Sequence, residues 1–175
     1  GGAAYNGELL HIYPDIFTSV SAKSMQTLEA AGRIRENDYY LYLHNRLTLM
    51  VPPGNPAAIK GVTDLGRNSV RISQPDPANE DIAVHIMDMY LEAGGDELVE
   101  RIMEEKRAEG TTVFTVVHHR ETPLRIAGGT VDVGPVWATE AAHAATRGLE
   151  HDVVEPGEKL DRRDHINYYA CRLAD

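Results

Sequence analysis

The chain has 175 residues, of which 42% are hydrophobic and 25% charged, and it carries a formal net charge of −10. That balance suits a folded globular protein rather than a disordered one, and no apolar run approaches the roughly 18 residues of a membrane span. The acidic total argues against nucleic acid, which selects a basic face, whereas a small anion stays open because local amides and dipoles can hold it.

In chain order, residues 1–5 (Gly1-Gly2-Ala3-Ala4-Tyr5) lack the basic-then-apolar pattern of a signal peptide. Residues 15–20 read as a short buried strand, followed by a helix that Ser21 can cap, with Met25 and Leu28 on one face and Gly32 at its end. A β-rich run over 39–51 is stopped by Pro52, Pro53, Gly54 and Pro56. A short helix fits 59–65 and a strand 70–73. The clearest helix spans 79–93, with Asn79 as N-cap and Glu80 and Asp81 in the first turn. Its apolar stripe is Ile82, Ile86 and Met89 with Val84 and Tyr90, and Gly94-Gly95 ends it. A second helix over 96–109 places Leu98, Val99, Ile102 and Met103 inward. Then follow a β-branched strand over 111–117, a helix over 119–127, a strand over 131–137, and an Ala-rich helix to 146 capped by Thr139. Strands over 152–154 and 165–173 close the chain.

Strands alternating with helices imply an α/β fold with mostly parallel sheets. Ligands of such sheets bind outside the carboxyl ends of strands. The junctions to read for chemistry are therefore 19–21, 74–81, 117–120 and 137–140. At 117–120, His118, His119 and Arg120 crowd a helix start whose dipole disfavours cations, a cost that a bound anion offsets. Strand alternation lets only one of the two histidines point inward, and Glu121 and Pro123 also simply suit a first helical turn. Trp137, the sole tryptophan, stands at a strand end, where it can serve either ligand or core. Glu80 and Asp81 suit a first turn electrostatically; together with His118 and His119 they could instead hold a divalent cation or an amine.

Several segments resemble the molybdate/tungstate-type substrate-binding proteins of ABC importers. They are Pro14-Asp-Ile-Phe-Thr-Ser-Val-Ser21 with Met25 and Leu28-Glu-Ala-Ala-Gly32, then Asn45-Arg-Leu-Thr-Leu-Met-Val-Pro-Pro-Gly-Asn-Pro56, then Leu65, Val70-Arg-Ile and Asp76-Pro77, and finally Asp132-Val-Gly-Pro-Val-Trp-Ala-Thr-Glu140. The resemblance implies a type II periplasmic-binding fold: two α/β lobes joined by crossing strands at 47–51 and 166–173. Lobe I, with the hinge strands, would be 1–51 and 162–175, and lobe II 52–161. It also implies that the usual first strand and helix and the C-terminal helices are missing, leaving lobe I partial unless a second copy of the chain completes it. Residues 1–5 then fall near a junction where a hydroxyl residue usually meets ligand, and no Ser or Thr stands there. Ser19, Val20 and Ser21 would offer amides and a hydroxyl from lobe I; the positions of His118, His119, Arg120 and Trp137 would line the ligand from lobe II. Some relatives of the tungstate type supply carboxylates directly, the place of Glu80 and Asp81.

The function so implied is extracytoplasmic or periplasmic capture of a small oxyanion by hinge closure, with a membrane permease as partner, no nucleic acid and no cofactor. Catalysis is not expected. Gly-x-Ser-x-Gly, His-Glu-x-x-His, Walker and Gly-x-Gly-x-x-Gly patterns are all absent from the sequence, and the lone Cys171 permits no intrachain disulfide or cysteine-based metal site. Two alternatives share the architecture: the effector-binding domain of a LysR-type transcription regulator, and a binding protein for a divalent metal or other small solute.

Overall fold

The computed structural model describes residues 3–5, 8–10, 14–20, 22–118 and 120–174, the first two segments by their backbone only. The chain divides into two units, Gly1–His44 with Ile166–Asp175, and Asn45–His165.

In the first unit, β1 (Ala3–Tyr5) and β2 (Glu8–Leu10) pair as an antiparallel hairpin. A second sheet has β10 (Asn167–Arg172) at its centre, antiparallel to both β3 (Ile16–Ser19) and β4 (Tyr39–His44). Helix α1 (Ala22–Ala30) supplies Met25 to a small core with Ile34 and Cys171, and Phe17, Leu28, Tyr39 and Tyr169 pack around it. Burial among these groups pushes the Cys171 thiol above its ordinary pKa.

The second unit is built on β5 (Leu47–Val51), whose five residues are all buried. It pairs antiparallel with β8 (Gly134–Trp137) on one side and β9 (Asp152–Val154) on the other. Strand β6 (Ile72–Gln74) pairs parallel with β7 (Thr112–Phe114), and a parallel bridge from Ile72 to Val133 joins β6 to the start of β8. The order is thus β7-β6-β8-β5-β9, with four strands running one way and β5 opposing them. The α/β class and the largely shared strand direction are as expected, but the pairing is less parallel than expected. Only strands joined through helices take parallel neighbours; β5 and β10, which no helical crossover constrains, pair antiparallel with theirs. The run over 39–51 also divides in two. Asn45 donates from Nδ2 to Thr139 Oγ1 (3.0 Å) and the Arg46 carbonyl accepts the Ala138 amide (2.8 Å), so these two residues leave the ladder to tie down a helix start. Strand β5, assigned to the first lobe on sequence, lies in the Asn45–His165 unit.

Helix α2 (Ile82–Glu100) buries Ile82, Ala83, Ile86, Met89 and Tyr90 as one stripe, while Val84, expected beside them, is exposed. The expected break falls at Gly95, whose φ of 67° and ψ of −167° no helix allows. Beyond it the helix continues through a π turn (Arg101–Glu105) into α3 (Lys106–Ala108), with Leu98, Ile102 and Met103 buried. Asn79 is not the N-cap. The Asp76 carboxylate takes the Ala78 amide at 2.8 Å and Asn79 Nδ2 at 3.3 Å, winding 76–80 into a turn of its own that delays the helix to Ile82. The predicted helix over 59–65 is a 3-10 turn at Val62–Gly66, because the Asn55 side chain holds both the amide and the carbonyl of Ile59 (2.9 and 2.7 Å).

Helices α4 (Glu121–Ala127) and α5 (Ala138–Thr146) complete the unit. Ile126, Ala141 and Ala144 meet Met50, Val131 and Val136 in a core cluster, each larger side chain contributing roughly 2 kcal/mol by burial. Thr139 does not cap α5: Trp137 holds the cap position without a side-chain bond, and the Thr139 hydroxyl serves Asn45 instead. Among the described residues, no helix is long and apolar enough to cross a membrane.

Candidate functional site

Strands β6, β7 and β8 run the same way, and each is followed by a helix: α2 after β6, α4 after β7, α5 after β8. Three strand-to-helix junctions therefore open on one edge of the sheet of the second unit. This is the edge that an α/β sheet uses for ligands.

At the first junction, Glu80 turns inward. Its Oε1 accepts the Asp76 amide (3.3 Å) and a short hydrogen bond from the Thr115 hydroxyl, and Thr115 Oγ1 itself accepts the Asp76 amide at 3.1 Å. Glu80 thus ties the first junction to the second. Asp81, one residue on, is exposed at the start of α2.

At the second junction, the amides of Val116, Val117 and His118 all point to one atom, Glu121 Oε1, at 2.9, 2.6 and 3.2 Å. Three successive amides form an anion seat, and the chain fills it with its own carboxylate. Glu121 stands three residues after His118, the spacing at which a capping-box glutamate reaches back over a helix start. Its second oxygen accepts Arg125 Nη2 at 2.8 Å. Burial works against the charge of Glu121, but the three amides and Arg125 outweigh it and hold its pKa below the usual carboxylate range. Arg125 also donates to the carbonyls of Val113 and Phe114 and to Ser73 Oγ, each at 3.0 to 3.1 Å, so one guanidinium ties the carboxyl end of β7 to α4. His118 is exposed. Arg120 keeps 70% of its side chain exposed and pairs at 3.7 Å with Glu140, the acid in the first turn of α5.

Glu121→Ala should therefore loosen the 116–120 segment and cost about 2 kcal/mol, since three amides and a guanidinium lose a charged acceptor. Because the folded pKa is depressed, this stabilisation is complete above the ordinary glutamate value and fades as pH falls through the lower, folded one. Denaturant melts of wild type and variant should converge toward acid, and a constant gap between them would refute the assignment.

At the third junction, Trp137 is 8% exposed, and its ring lies 5.8 Å from that of His85 on α2, inclined by 58°. It is largely packed rather than presented.

The structure brings Glu80, Asp81, His118, Arg120 and Trp137 to this one edge. Ser19 and Val20, half-buried at the end of β3, belong to the other unit. Ser21 and His119, the remaining expected positions, lie outside the described residues. Among the described residues no three His, Cys, Asp or Glu side chains gather as a metal set, and Glu80 is committed to Thr115 and Asp76. Sequence reasoning passed over Thr115, Arg125 and His85. The Glu121–Arg125 spacing of four is a readable helix-pair signal; Thr115 and His85 carry no local one.

Likeness to known proteins places the fold. The family described as bacterial extracellular solute-binding protein matches residues 3–175. No curated protein sequence matches. Among solved structures, the substrate-binding domain of a putative molybdenum ABC transporter from Clostridium difficile aligns with a TM-score of 0.66 at 20% identity, over 91% of this chain and 62% of that one. The sulfate-binding protein SubI of Mycobacterium tuberculosis aligns at 0.72 and 18%, over 97% and 59%. Iron-bound HitA of Pseudomonas aeruginosa aligns at 0.67 and 13%, over 91% and 58%. The chain thus spans less than two thirds of each of these structures, and at such identities the likeness is one of fold.

Proposed function

We propose, from the premise that the chain belongs to the bacterial extracellular solute-binding proteins, that the whole protein is the solute-binding component of an ABC importer and that its solute is a small oxyanion. Solute binding outside the cytoplasm is the function of the family, and catalysis is not. The effector domain of a cytoplasmic regulator is accordingly set aside.

One observation carries the oxyanion reading. The N-terminal ends of α2 and α5 share one sheet edge with the start of α4, whose amides Glu121 occupies, and the mostly exposed Arg120 guanidinium lies beside them. Helix N-termini and guanidinium forks favour an oxyanion over a neutral or cationic solute. The molybdenum and sulfate titles of two structures with this fold support the same class. The iron-bound neighbour raises a metal as the alternative, but that reading needs a ligand set, and the engagement of Glu80 with Thr115 and Asp76 weighs against one at this edge.

Thermal melts with molybdate, tungstate, sulfate, phosphate and divalent metal salts test the proposal. The matching oxyanion, at a hundredfold excess over its Kd, should stabilise the protein by about 2.7 kcal/mol. That is a shift of roughly 5–10 °C at this size. Arg120→Ala should abolish the shift while leaving the unliganded melting temperature unchanged. Stabilisation by a metal salt and by none of the oxyanions would overturn the ligand class.

A further inference from the structure

We infer that His85 is a positioning residue of the solute site: its imidazole holds the Trp137 indole by ring contact, and charging that imidazole releases the indole and weakens solute binding. The inference rests on the reading of the β6–β7–β8 edge as the solute site, with Trp137 on it.

The geometry is specific. His85 follows Asp81 by one helical turn on α2, so its side chain lies on the same face just behind the edge. Trp137 is the last residue of β8, and the two rings stand 5.8 Å apart at 58°. His85 Nδ1 is fully enclosed, and no hydrogen bond reaches it among the described residues. That nitrogen is therefore met by packing rather than by a polar partner, and the ring lies against one side of the indole. A buried ring nitrogen without a partner is costly.

The surroundings decide how charge acts there. Asp81 and Asp88 face His85 from its own helix, Arg162 and His165 from the segment that follows β9, and Trp137, uncharged, from β8. Asp88 is already engaged by Arg162 at 2.9 Å, and Glu92 takes the same guanidinium at 3.3 Å. Burial first, and then the Arg162 charge, outweigh the two aspartates and hold His85 below the usual histidine pKa. The folded protein thus accepts this proton less readily than the unfolded chain. Charging costs nothing above the ordinary histidine value of about 6.5, and native stability is lost as pH falls below it toward the folded value. A charged imidazole relieves that cost by turning toward water, and the indole then loses its support.

Because Trp137 is the only tryptophan, its fluorescence reports this contact directly. In the full chain, selective indole excitation should give one transition centred below about pH 6.5, lost in His85→Asn and His85→Phe. Sulfate and molybdate are the binding probes, at about pH 7.5 and about pH 5.5. Wild-type affinity should fall on acidification, by at most about tenfold per pH unit for one linked proton. His85→Phe, which keeps the ring contact and cannot titrate, should bind equally at both values. His85→Ala, which removes the contact, should bind more weakly than wild type at the higher one. A fluorescence transition that persists in His85→Asn overturns the inference, as does an affinity that falls equally in wild type and His85→Phe. A transition confined to wild type, with neither probe bound at either pH, overturns the oxyanion reading and the binding clause that depends on it.

Discussion

Lys106→Met should lower the unfolding free energy by about 3 kcal/mol, and Lys106→Ala by about 5 kcal/mol, against a total of 5–15 for domains of this kind. Lys106 has no exposed surface, yet among the described residues it pairs with no carboxylate. Its ammonium donates to two backbone carbonyls, Arg67 and Val70, both at 2.7 Å. Those carbonyls belong to the loop that enters β6, so the lysine closes that loop from the C-terminal side of the π turn. Methionine keeps the volume but takes the ammonium from the buried Val70 oxygen and leaves the Arg67 oxygen only the Val70 amide at 3.2 Å, and alanine adds a cavity. Burial, and after it the charge of Arg101, pull the lysine pKa below its ordinary value. The unfolded chain therefore holds this proton to higher pH than the folded one does, and wild-type stability gains relative to Lys106→Met as pH rises between the two values. Urea melts at neutral and alkaline pH, read at unchanged m-value, measure both effects. A Lys106→Met protein as stable as wild type would mean that water reaches the two carbonyls and replaces the ammonium.

What could be read in the sequence, and what could not, follows from the range of each signal. The stripe of Ile82, Ile86, Met89 and Tyr90 is legible because a helix repeats locally, and the Gly94-Gly95 break because left-handed backbone selects glycine. The start of the same helix is not, since the Asp76 side chain competes for residues 78 and 79 through a turn that a capping rule does not anticipate. Thr139 misleads in the same way: a good capping residue is drawn off by Asn45, a partner distant in sequence. Residue types at strand ends pointed to junctions that the structure gathers on one sheet edge, because topology alone brings those ends together. What fills each junction was hidden. The convergence of the 116–118 amides on Glu121 depends on loop geometry, and the His85–Trp137 contact depends on how α2 packs against β8. The consequence is chemical. The amides beside His118 already hold the Glu121 carboxylate, so under the proposed reading an oxyanion would be met by other donors of the same edge, Arg120 among them.

Gly134→Ala should cost about 3 kcal/mol, far more than a methyl group on most strands, because this glycine marks the closest approach of three elements. A Cβ built there would overlap the γ-methyl of Thr122 on α4 and lie 3.1 Å from the Ser73 carbonyl oxygen and 3.4 Å from its Cβ on β6. Ser73 and Thr122 are fully buried, and their hydroxyls share a hydrogen bond of 2.8 Å. Arg125 adds a bond to Ser73 Oγ at 3.1 Å, which links the contact to the Glu121 seat through the same guanidinium. The added methyl must therefore push α4 away from the sheet or break a buried hydroxyl pair, and either response moves the junction at 116–120. Thr122→Ser offers the decisive comparison, since it removes the overlapping methyl and keeps the hydroxyl. In the double variant about half of the Gly134→Ala cost should return, giving a coupling energy of about 1.5 kcal/mol, within the range for residues in direct contact. The remainder should persist, because the Ser73 carbonyl is backbone and cannot withdraw. Additive losses would show instead that the strain is relieved along β8, leaving α4 in place.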